Sequence, residues 1–385
     1  MPTFSTPSRD VIYLDYNATT PVCDEAREAA LPFLSDAFGN PSSGYALGRE
    51  ARRALETARA QVAALVNAEP DEIVFTGCAT ESNNLALKGA VEDWRGKKLV
   101  TTSVEHPSVL NPALYLVEQG AEVVFLEVDE TGRPDPATAA RTAAGGCALV
   151  SVMHANNETG TILPVAEIRE ALGPDVLLHA DCSQSLGKLP VDVAALGVDL
   201  ATFAGHKVYA PKGVGALYVR RGVKLAPLFH GGGQERGLRS GTENVALAAA
   251  FGAACEAARR ALPGSRKRLA DLSARLHGRL AERVPGLLLN GHPEQRLPNT
   301  VNLSFPGVTG EAVLSSCPRL AASTGAACHG PEVSVSHVLA AMGLSRDRAA
   351  GAVRLSVGLP TVEDEVDAAA DMLAAAWESL TGRRK

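Results

Sequence analysis

The sequence predicts an α/β fold, with a large domain built on a mostly parallel sheet and a smaller α+β domain. Short β-rich segments alternate with helical ones from residue 72 to residue 219, a pattern typical of a sheet covered by helices on both faces. The chain is then strongly helical over residues 245–282, and strands and helices mix again beyond residue 300. A length of 385 residues favours two domains over one small core.

The alternating region supplies its elements in a regular order. The helix that precedes it, over residues 49–66, places Leu55, Ala58, Val62 and Leu65 at helical spacing. In such sheets, ligands bind at the carboxyl ends of the strands, so we expect functional residues immediately after them. Strands are predicted at 73–75, 99–102, 123–126, 149–153, 176–178 and 200–203, and helices at 80–91, 109–119 and 165–172.

The C-terminal third is predicted to be a smaller α+β unit. Its long first helix is expected to break at Pro263-Gly264, because proline and glycine both disfavour a helix interior. We assign residues 16–258 to the large domain, and residues 1–15 together with 259–385 to the small domain. Further strands are predicted at 300–305 and 353–357, and further helices at 335–342 and 362–380.

Composition narrows the class of protein. Hydrophobic residues make up 46% and charged residues 21%, as in a globular protein, and the net charge is −6. The short basic run Arg383-Arg384-Lys385 predicts a solvated end rather than a surface for direct nucleic-acid binding. The N-terminus lacks the pattern of a signal peptide and no apolar run is long enough to cross a bilayer, so we expect a cytoplasmic protein without a membrane partner.

The pattern of cysteines predicts neither disulfide bonds nor a structural metal site. There are seven, an odd number, widely spaced and without a CxxC pair. This pattern argues against disulfides and against a structural zinc site, so no metal is predicted. Most of these thiols are expected to be small buried hydrophobes.

Two polar residues near strand ends indicate an amine-based cofactor site. Lys207 follows a strand in a turn of small residues, where a partly desolvated amine can form a Schiff base. Asp181 ends another strand and can pair with the pyridinium nitrogen of pyridoxal phosphate, with Gln184 placed to bond the ring oxygen. An isolated lysine would be a surface residue and an isolated aspartate a helix cap, so the combination carries the prediction.

The next candidates are a phosphate site and a ring-stacking residue. Ala79 and Thr80 lie between a strand and a helix, where free N–H groups bind phosphate, although such a turn can be only a helix start. His106 follows the next strand and can stack on the ring and shuttle a proton; the alternative is a capping or core histidine. Thr242 closes a glycine-rich loop that can approach phosphate or merely link domains.

Three further residues suggest substrate chemistry. Asn156 follows a strand and can orient a substrate carboxylate, or form an ordinary turn. Arg354 lies on an apolar strand, where its guanidinium requires an anion: a substrate carboxylate or the partner of a structural ion pair. Cys328 lies in a polar loop rich in glycine beside His329, a setting in which a thiolate can react, although a lone cysteine is more often inert.

The order of these motifs resembles the cysteine desulfurases, class-V enzymes of fold type I that use pyridoxal phosphate and supply sulfur for iron–sulfur clusters. The similarity runs from about residue 11 to about residue 380. It is carried by Tyr13-Leu14-Asp15-Tyr16-Asn17-Ala18-Thr19-Thr20-Pro21, Phe38-Gly39-Asn40-Pro41-Ser42-Ser43, Ala79-Thr80-Glu81-Ser82-Asn83-Asn84, Glu105-His106, residues 153–160, Gly205-His206-Lys207, residues 231–236 and Arg239-Ser240-Gly241-Thr242.

The resemblance implies a homodimer with shared active sites that converts L-cysteine to L-alanine and passes sulfur to an acceptor protein such as a cluster scaffold. It implies that Lys207 carries the cofactor, that His106 stacks on its ring, and that Cys328 becomes a persulfide. Arg354 and Asn156 bind the substrate, and Thr242 reaches the phosphate of the partner subunit. Cofactor binding falls on Ala79, Thr80, His106, Asn156, Asp181, Gln184, His206, Lys207 and Thr242.

Two departures from the family pattern keep alternatives open. Many members have a phosphate-binding serine where this chain has Ala204, which removes a hydrogen bond worth about 1 to 3 kcal/mol. The segment Gly325-Ala326-Ala327-Cys328-His329 resembles that of selenocysteine lyases, so L-selenocysteine is an alternative substrate. A class-V aminotransferase, in which Cys328 is a bystander, and a binding scaffold of the same fold are the remaining alternatives.

Overall fold

The computed structural model describes residues 1–5, 10–324 and 335–383. The strands are β1 (Ile12–Tyr13), β2 (Ile73–Thr76), β3 (Lys98–Thr102), β4 (Glu122–Leu126), β5 (Cys147–Ser151), β6 (Leu177–Asp181), β7 (Leu200–Ala204), β8 (Gly215–Val219), β9 (Leu288–Asn290), β10 (Thr300–Ser304), β11 (Leu320–Ala321) and β12 (Ala352–Ser356). The helices are α1 (Asp24–Leu34), α2 (Ala46–Val66), α3 (Ala79–Gly89), α4 (Pro107–Glu118), α5 (Pro136–Ala143), α6 (Val165–Ala171), α7 (Val193–Leu196), α8 (Val245–Arg283), α9 (Gly310–Ser315), α10 (His337–Ala341), α11 (Arg346–Ala350) and α12 (Glu363–Leu380).

The main sheet has seven strands in the order β2-β8-β7-β6-β5-β3-β4. The pairs from β7 through β6, β5 and β3 to β4 are parallel. Strand β8 runs antiparallel to both of its neighbours, β2 and β7. The predicted α/β class with a mostly parallel sheet is therefore confirmed.

Both faces of this sheet are buried, which explains why its strands read as continuous apolar runs. In β2, Ile73 and Phe75 enter one core while Val74, between them, enters the other. Helices α1, α2 and the first half of α8 cover the first face, and α3 and α4 cover the second. The alternation of side chains along each strand thus assigns neighbouring residues to opposite layers.

Smaller sheets lie in the C-terminal part. Strands β12, β10 and β9 form an antiparallel sheet, and β1 pairs in parallel with β11. A further core joins β10 and β12 to α12 and the second half of α8. These facts agree with a smaller α+β unit that includes the N-terminal strand, while the boundaries 16–258 and 1–15 with 259–385 stay predictions.

The predicted break at Pro263-Gly264 is wrong, because α8 runs unbroken through both residues. Pro263 lacks the N–H that would bond the carbonyl of Arg259, but Arg259 lies on the exposed side, where water can satisfy that carbonyl. On the packed side, Ala261 and Ser265 are buried. Before the proline the helix packs against α1 and α2, in the core that includes one face of the main sheet, and beyond it the helix packs in the C-terminal core. This burial outweighs the missing hydrogen bond.

The topology brings the ends of several strands to one edge. Because β2 and β7 are both antiparallel to β8, they point in the same direction as β3, β5 and β6. The residues that follow these strands therefore share the carboxyl edge of the sheet. Among the described residues, no helix combines the length and the apolar character needed to cross a membrane.

Candidate active site

The predicted lysine lies in a short 3₁₀ turn, Gly205–Lys207, directly after β7. Its Nζ donates a hydrogen bond of 2.6 Å to the carbonyl of Asn17. Burial lowers the pKa of Lys207 from 10.5 to about 8, with Arg354 acting in the same direction and Asp181 in the opposite one. A substantial fraction of the amine is therefore neutral near physiological pH and able to act as a nucleophile or a base.

Asp181 ends β6 and is only 6% exposed. One carboxylate oxygen, Oδ1, accepts a bond of 2.9 Å from the N–H of Ser183. The other, Oδ2, accepts a bond of 2.8 Å from Nδ2 of Asn83. Both oxygens act as acceptors, so the site holds a carboxylate that can pair with a protonated ring nitrogen.

His106 is the N-cap of α4, where its Nδ1 accepts a 3.1 Å bond from the N–H of Ser108. Burial lowers the pKa of His106; Asp181 opposes this, while Lys207 and His337 add to it. The imidazole is therefore neutral near physiological pH. The two readings of His106, a cap and a ring-facing residue, are compatible, because the cap uses only Nδ1 and leaves Nε2 for other contacts.

The turn after β2 provides backbone donors for an anion. Helix α3 begins at Ala79, and its N-cap residue Cys78 makes no side-chain capping bond. Thr80 is exposed, and it lines a cavity of about 390 Å³ together with His106. Glu81 fixes the turn by accepting a 2.8 Å bond from the N–H of Gly77 and a 2.8 Å bond from Arg239. The first turn of α3 fits a phosphate group.

His206 adjoins Lys207 and is also neutral. Its Nδ1 lies 3.2 Å from Oγ1 of Thr19. Burial lowers the pKa of His206 to about 4, and the neighbouring Lys207, Lys212 and Lys188 lower it further. A neutral imidazole can donate one hydrogen bond to phosphate without adding a charge that would repel Lys207.

A polar cluster beside Lys207 includes Asn17 and Lys188, which the sequence analysis did not predict as site residues. The carbonyl of Asn17 accepts from Lys207 and also from Nε2 of Gln184, at 3.0 Å. Lys188 is 7% exposed and donates to Oε1 of Gln184 at 2.9 Å and to Oδ1 of Asn17 at 3.3 Å. Burial and the nearby Lys207 and Arg354 hold the pKa of Lys188 well below its ordinary value. No motif in the sequence indicated Lys188, although Asn17 lies in the segment 13–21 that carries the family resemblance.

Asn156 is 1% exposed and fastens the turn after β5. Its Oδ1 accepts from the N–H groups of Glu158 and Thr159, each at 2.9 Å. Its Nδ2 donates to the carbonyl of Val104 at 3.1 Å. The amide therefore ties the ends of two strands together, and its direct contact with cofactor or substrate stays a prediction.

Arg354 on β12 is buried beside the same turn. Its guanidinium forms an ion pair of 2.6 Å with Asp15 and donates to the carbonyl of Asn157 at 3.0 Å. Its Nε is buried and has no hydrogen-bond partner among the described residues. Arg354 thus has the structural ion pair that was one of its two readings, and it keeps one donor direction for an added carboxylate.

Two predicted residues are not gathered with the others. Thr242 is exposed, and within the described chain its side chain makes no hydrogen bond to the other candidates. Its loop is anchored instead by the buried pair Arg59–Glu235, at 2.8 Å. Cys328 lies outside the described residues. Of the six described cysteines, all free, only Cys78 is exposed.

The donor set fits pyridoxal phosphate. A largely buried amine, a carboxylate held as an acceptor and a neutral imidazole suit the aldehyde carbon, the ring nitrogen and the ring face. The uncapped start of α3 suits the phosphate, and the buried Oγ of Ser183 has no partner in the described part of the chain. No cluster of metal-ligating residues occurs among the described residues.

Comparisons with known proteins agree with this geometry. The family model described as aminotransferase class-V matches residues 12–369. The cysteine desulfurase IscS of Dictyoglomus turgidum is 42% identical, covering 96% of this chain and 95% of that protein. The cysteine desulfurase IscS of Anaeromyxobacter dehalogenans is 46% identical, covering 92% of this chain and 90% of its own.

Among solved structures, a NifS-like protein superposes with a TM-score of 0.88 at 37% sequence identity. The match covers 96% of this chain and 99% of that one. The agreement therefore spans the main sheet, the C-terminal core and the strand ends that carry the candidate residues. The chain belongs to the cysteine desulfurase family within the class-V aminotransferases.

Proposed function

We propose that this protein is a pyridoxal-phosphate-dependent cysteine desulfurase that converts L-cysteine to L-alanine and leaves the sulfur on Cys328 as a persulfide. The observation that carries the proposal is the geometry of Lys207. Its amine is largely buried, contacts a backbone carbonyl and has a pKa of about 8, while Asp181 and Arg354 act on it from two other strands. This arrangement is typical of a cofactor-binding lysine and has no evident structural purpose.

The cofactor, when bound, supplies an electron-withdrawing ring that stabilises negative charge at the substrate α-carbon. The chain must hold that ring and orient the substrate. Asp181 offers a fixed negative charge for the ring nitrogen, and His106 lies beside the same carboxylate. Arg354 retains a buried Nε for the substrate carboxylate. Together they fix the direction from which Lys207 meets the α-carbon.

Lys207 is the group that moves the proton. As a neutral amine it removes the α-proton of L-cysteine, since a base with a pKa near the working pH is most effective. The Cys328 thiolate attacks the substrate sulfur, forming an S–S bond as the carbon–sulfur bond breaks. The carbon skeleton keeps the electron pair, gains a proton in place of sulfur and leaves as L-alanine. Cysteine and the enzyme thiol thus give alanine and an enzyme persulfide, with no other oxidant or reductant.

Two substitutions test this proposal directly. Lys207→Ala is expected to lose the absorbance of bound cofactor and to lower alanine formation by at least about 100-fold. Cys328→Ser is expected to keep that absorbance and still lose alanine formation to a similar extent. Lys224→Ala, a change at an exposed lysine outside the candidate site, serves as a control with near-normal activity.

The same assay separates the neighbouring activities. Loss of alanine formation in Cys328→Ser would exclude a class-V aminotransferase in which Cys328 is a bystander, whereas normal alanine formation would contradict the role proposed for Cys328. Turnover of L-selenocysteine with negligible turnover of L-cysteine would indicate a selenocysteine lyase. Absence of cofactor absorbance in the parent protein would leave only a binding scaffold.

We further propose a cytoplasmic homodimer that passes its sulfur to an acceptor protein such as an iron–sulfur cluster scaffold. In support of a partner subunit, Phe38 is 73% exposed and Tyr45 is 56% exposed, more than expected for aromatic side chains of a monomer. Thr242 is also exposed, as required for a residue that completes a partner's phosphate site. Sedimentation at equilibrium tests the dimer, and a monomeric, fully active protein would contradict it.

A further inference from the structure

A chain of hydrogen bonds connects Asp181 to His106 through Asn83 and Ser108. Nδ2 of Asn83 donates to Oδ2 of Asp181 at 2.8 Å and to Oγ of Ser108 at 2.8 Å. Oγ of Ser108 lies 2.8 Å from Nδ1 of His106. Asn83 is fully buried and Ser108 is 7% exposed, so these contacts are shielded from water.

The direction of each bond follows from what each atom can donate. A carboxylate oxygen only accepts, so Asn83 must present its NH₂ group, not its carbonyl, to Asp181. The second hydrogen of that NH₂ group is donated to Oγ of Ser108, which accepts it. The hydroxyl hydrogen of Ser108 is then available for Nδ1 of His106, which also accepts from the Ser108 N–H.

The opposite orientation of the Asn83 amide is excluded by the same reasoning. A flipped amide would place its oxygen against the Asp181 carboxylate, with two acceptors at 2.8 Å and no hydrogen between them. In the observed orientation, Oδ1 of Asn83 is buried without a partner among the described residues. An unsatisfied carbonyl oxygen is tolerated here because the alternative would be repelled by the carboxylate.

From this chain of bonds we infer that Asn83 is a positioning residue which, through Ser108, fixes His106 as the neutral tautomer protonated on Nε2 and keeps both oxygens of Asp181 as acceptors. His106 then presents an N–H, a hydrogen-bond donor, on the side away from its helix cap. The anion at the ring nitrogen and the donor beside the ring are set by one residue of α3. This inference deepens the proposed function and depends on it only for the identity of the ring.

The tautomer of His106 gives a readout that a merely structural role would not change. Nitrogen-15 spectra of histidine-labelled full-length protein distinguish the two neutral tautomers and the imidazolium, and His106→Gln assigns the signal. We expect Nε2 to be protonated and Nδ1 to be a bare acceptor in the parent protein, both with cofactor and after its removal. A protonated Nδ1, or an imidazolium near neutral pH, would overturn the inference.

Two variants test the chain of hydrogen bonds from Asp181 to His106. Ser108→Ala removes the hydroxyl but keeps the backbone N–H, so we expect the Nε2-protonated form to lose population without disappearing. Asn83→Asp replaces the donor with a second carboxylate beside Asp181, and we expect cofactor affinity in an absorbance titration to fall by about 10-fold to 100-fold. Gln119→Glu makes the same amide-to-carboxylate change at an exposed residue beyond the far end of α4, and it should leave the His106 signal and the affinity within about twofold.

The outcomes separate this inference from the proposed function. An unchanged His106 tautomer in both Asn83→Asp and Ser108→Ala would refute the positioning role of Asn83. That result would not affect the proposed desulfurase activity. A parent protein that binds no cofactor would refute the proposed function, yet the tautomer in the cofactor-free protein would still be measurable. Should Asn83→Asp fold poorly, Ser108→Ala alone decides, because its change is a single hydroxyl.

Discussion

The two sides of the candidate active site differ in the charged group that they hold and in the contacts of that group. On the side of β6, the Asp181 carboxylate accepts hydrogen bonds from the Ser183 N–H and from Nδ2 of Asn83. On the side of β7, the Lys207 amine donates to the carbonyl of Asn17, and no carboxylate lies within ion-pair distance in the described part of the chain. The positive charge of Arg354 adds to burial in lowering the pKa of Lys207, and the buried Lys188 shares the Asn17 contact with it.

The difference shows how one edge of the sheet can hold both a carboxylate that accepts hydrogen bonds and an amine that can act as a base. Donated hydrogen bonds stabilise the charged carboxylate, whereas burial and like charges destabilise the charged amine. Asp181 therefore offers both of its oxygens as acceptors, and Lys207 has a pKa that allows it to release and accept a proton near neutral pH. Each of the following experiments changes one residue on one of the two sides.

The largest effect is expected from removing the anion. Asp181→Asn keeps the shape of the side chain and loses its charge, so alanine formation should fall by about 100-fold to 1,000-fold. Steady-state rates and cofactor content measure this effect. A variant with full cofactor content and near-normal rates would show that the charge at Asp181 is not required.

The next effect concerns the stability of the cofactor-free protein. The pKa of Lys207 is about 8 when folded and 10.5 in its ordinary state, so the unfolded chain binds more protons between these values and stability rises with pH there. Below about pH 8 the buried amine destabilises the fold. Lys207→Met should therefore increase the free energy of unfolding by up to about 3 kcal/mol near pH 7, with the gain vanishing above about pH 10.5.

Urea unfolding at several pH values checks this expectation. Lys212→Met, a change at an exposed lysine, is the matched control and should alter stability by no more than about 0.5 kcal/mol. A Lys207→Met variant that is less stable than the parent at every pH would contradict the view that burial of the amine is unfavourable.

A smaller effect is expected on the Asp181 side, at Glu105, where stability depends on pH in the opposite direction. Burial raises the pKa of Glu105 to about 8, and Asp181 adds to the increase, while bonds from Met153 and Thr102 oppose it. The folded protein binds the extra proton between about pH 4.5 and 8, so stability falls as pH rises through this window. Glu105→Gln should lack that fall and exceed the parent by about 2 kcal/mol near pH 9.

Thermal or urea unfolding of both proteins from about pH 5 to 9 measures the difference. The glutamine oxygen keeps the hydrogen bonds from Thr102 and the Met153 N–H, both at 2.8 Å in the parent. Parallel pH profiles for the two proteins would mean that Glu105 does not titrate in this range.

The smallest effect is expected at the end of β7. Ala204 is 1% exposed and precedes the turn that carries His206 and Lys207. Ala204→Ser adds a hydroxyl where many family members have one, and it should tighten cofactor binding by about fivefold, equivalent to one modest hydrogen bond. Titration of the cofactor-free protein measures it, with Ala201→Ser, a buried change earlier in the same strand, as the control.

The sequence predicted most of the fold because its strongest patterns are periodic. Continuous apolar strands and amphipathic helices require only local reading, and the elements predicted from them appear with ends shifted by a few residues. Helices α1 and α5, of 11 and 8 residues, were not predicted. Short or edge elements such as β1, β9 and α7 were also missed, since a few residues carry little periodicity. Pro263 misled because propensity is local, whereas the burial that keeps α8 continuous is tertiary.

The candidate site divides in the same way. The sequence by itself determined that Lys207, Asp181, His106 and Thr80 follow strands of one sheet, because the parallel order of strands places their ends together. Only the tertiary structure showed that Asn17, Lys188, Asn83 and Ser108 connect them, since these contacts join residues distant in the chain. The physical reason is that charge and proton position depend on burial and on which donor meets which acceptor, and no local pattern specifies either.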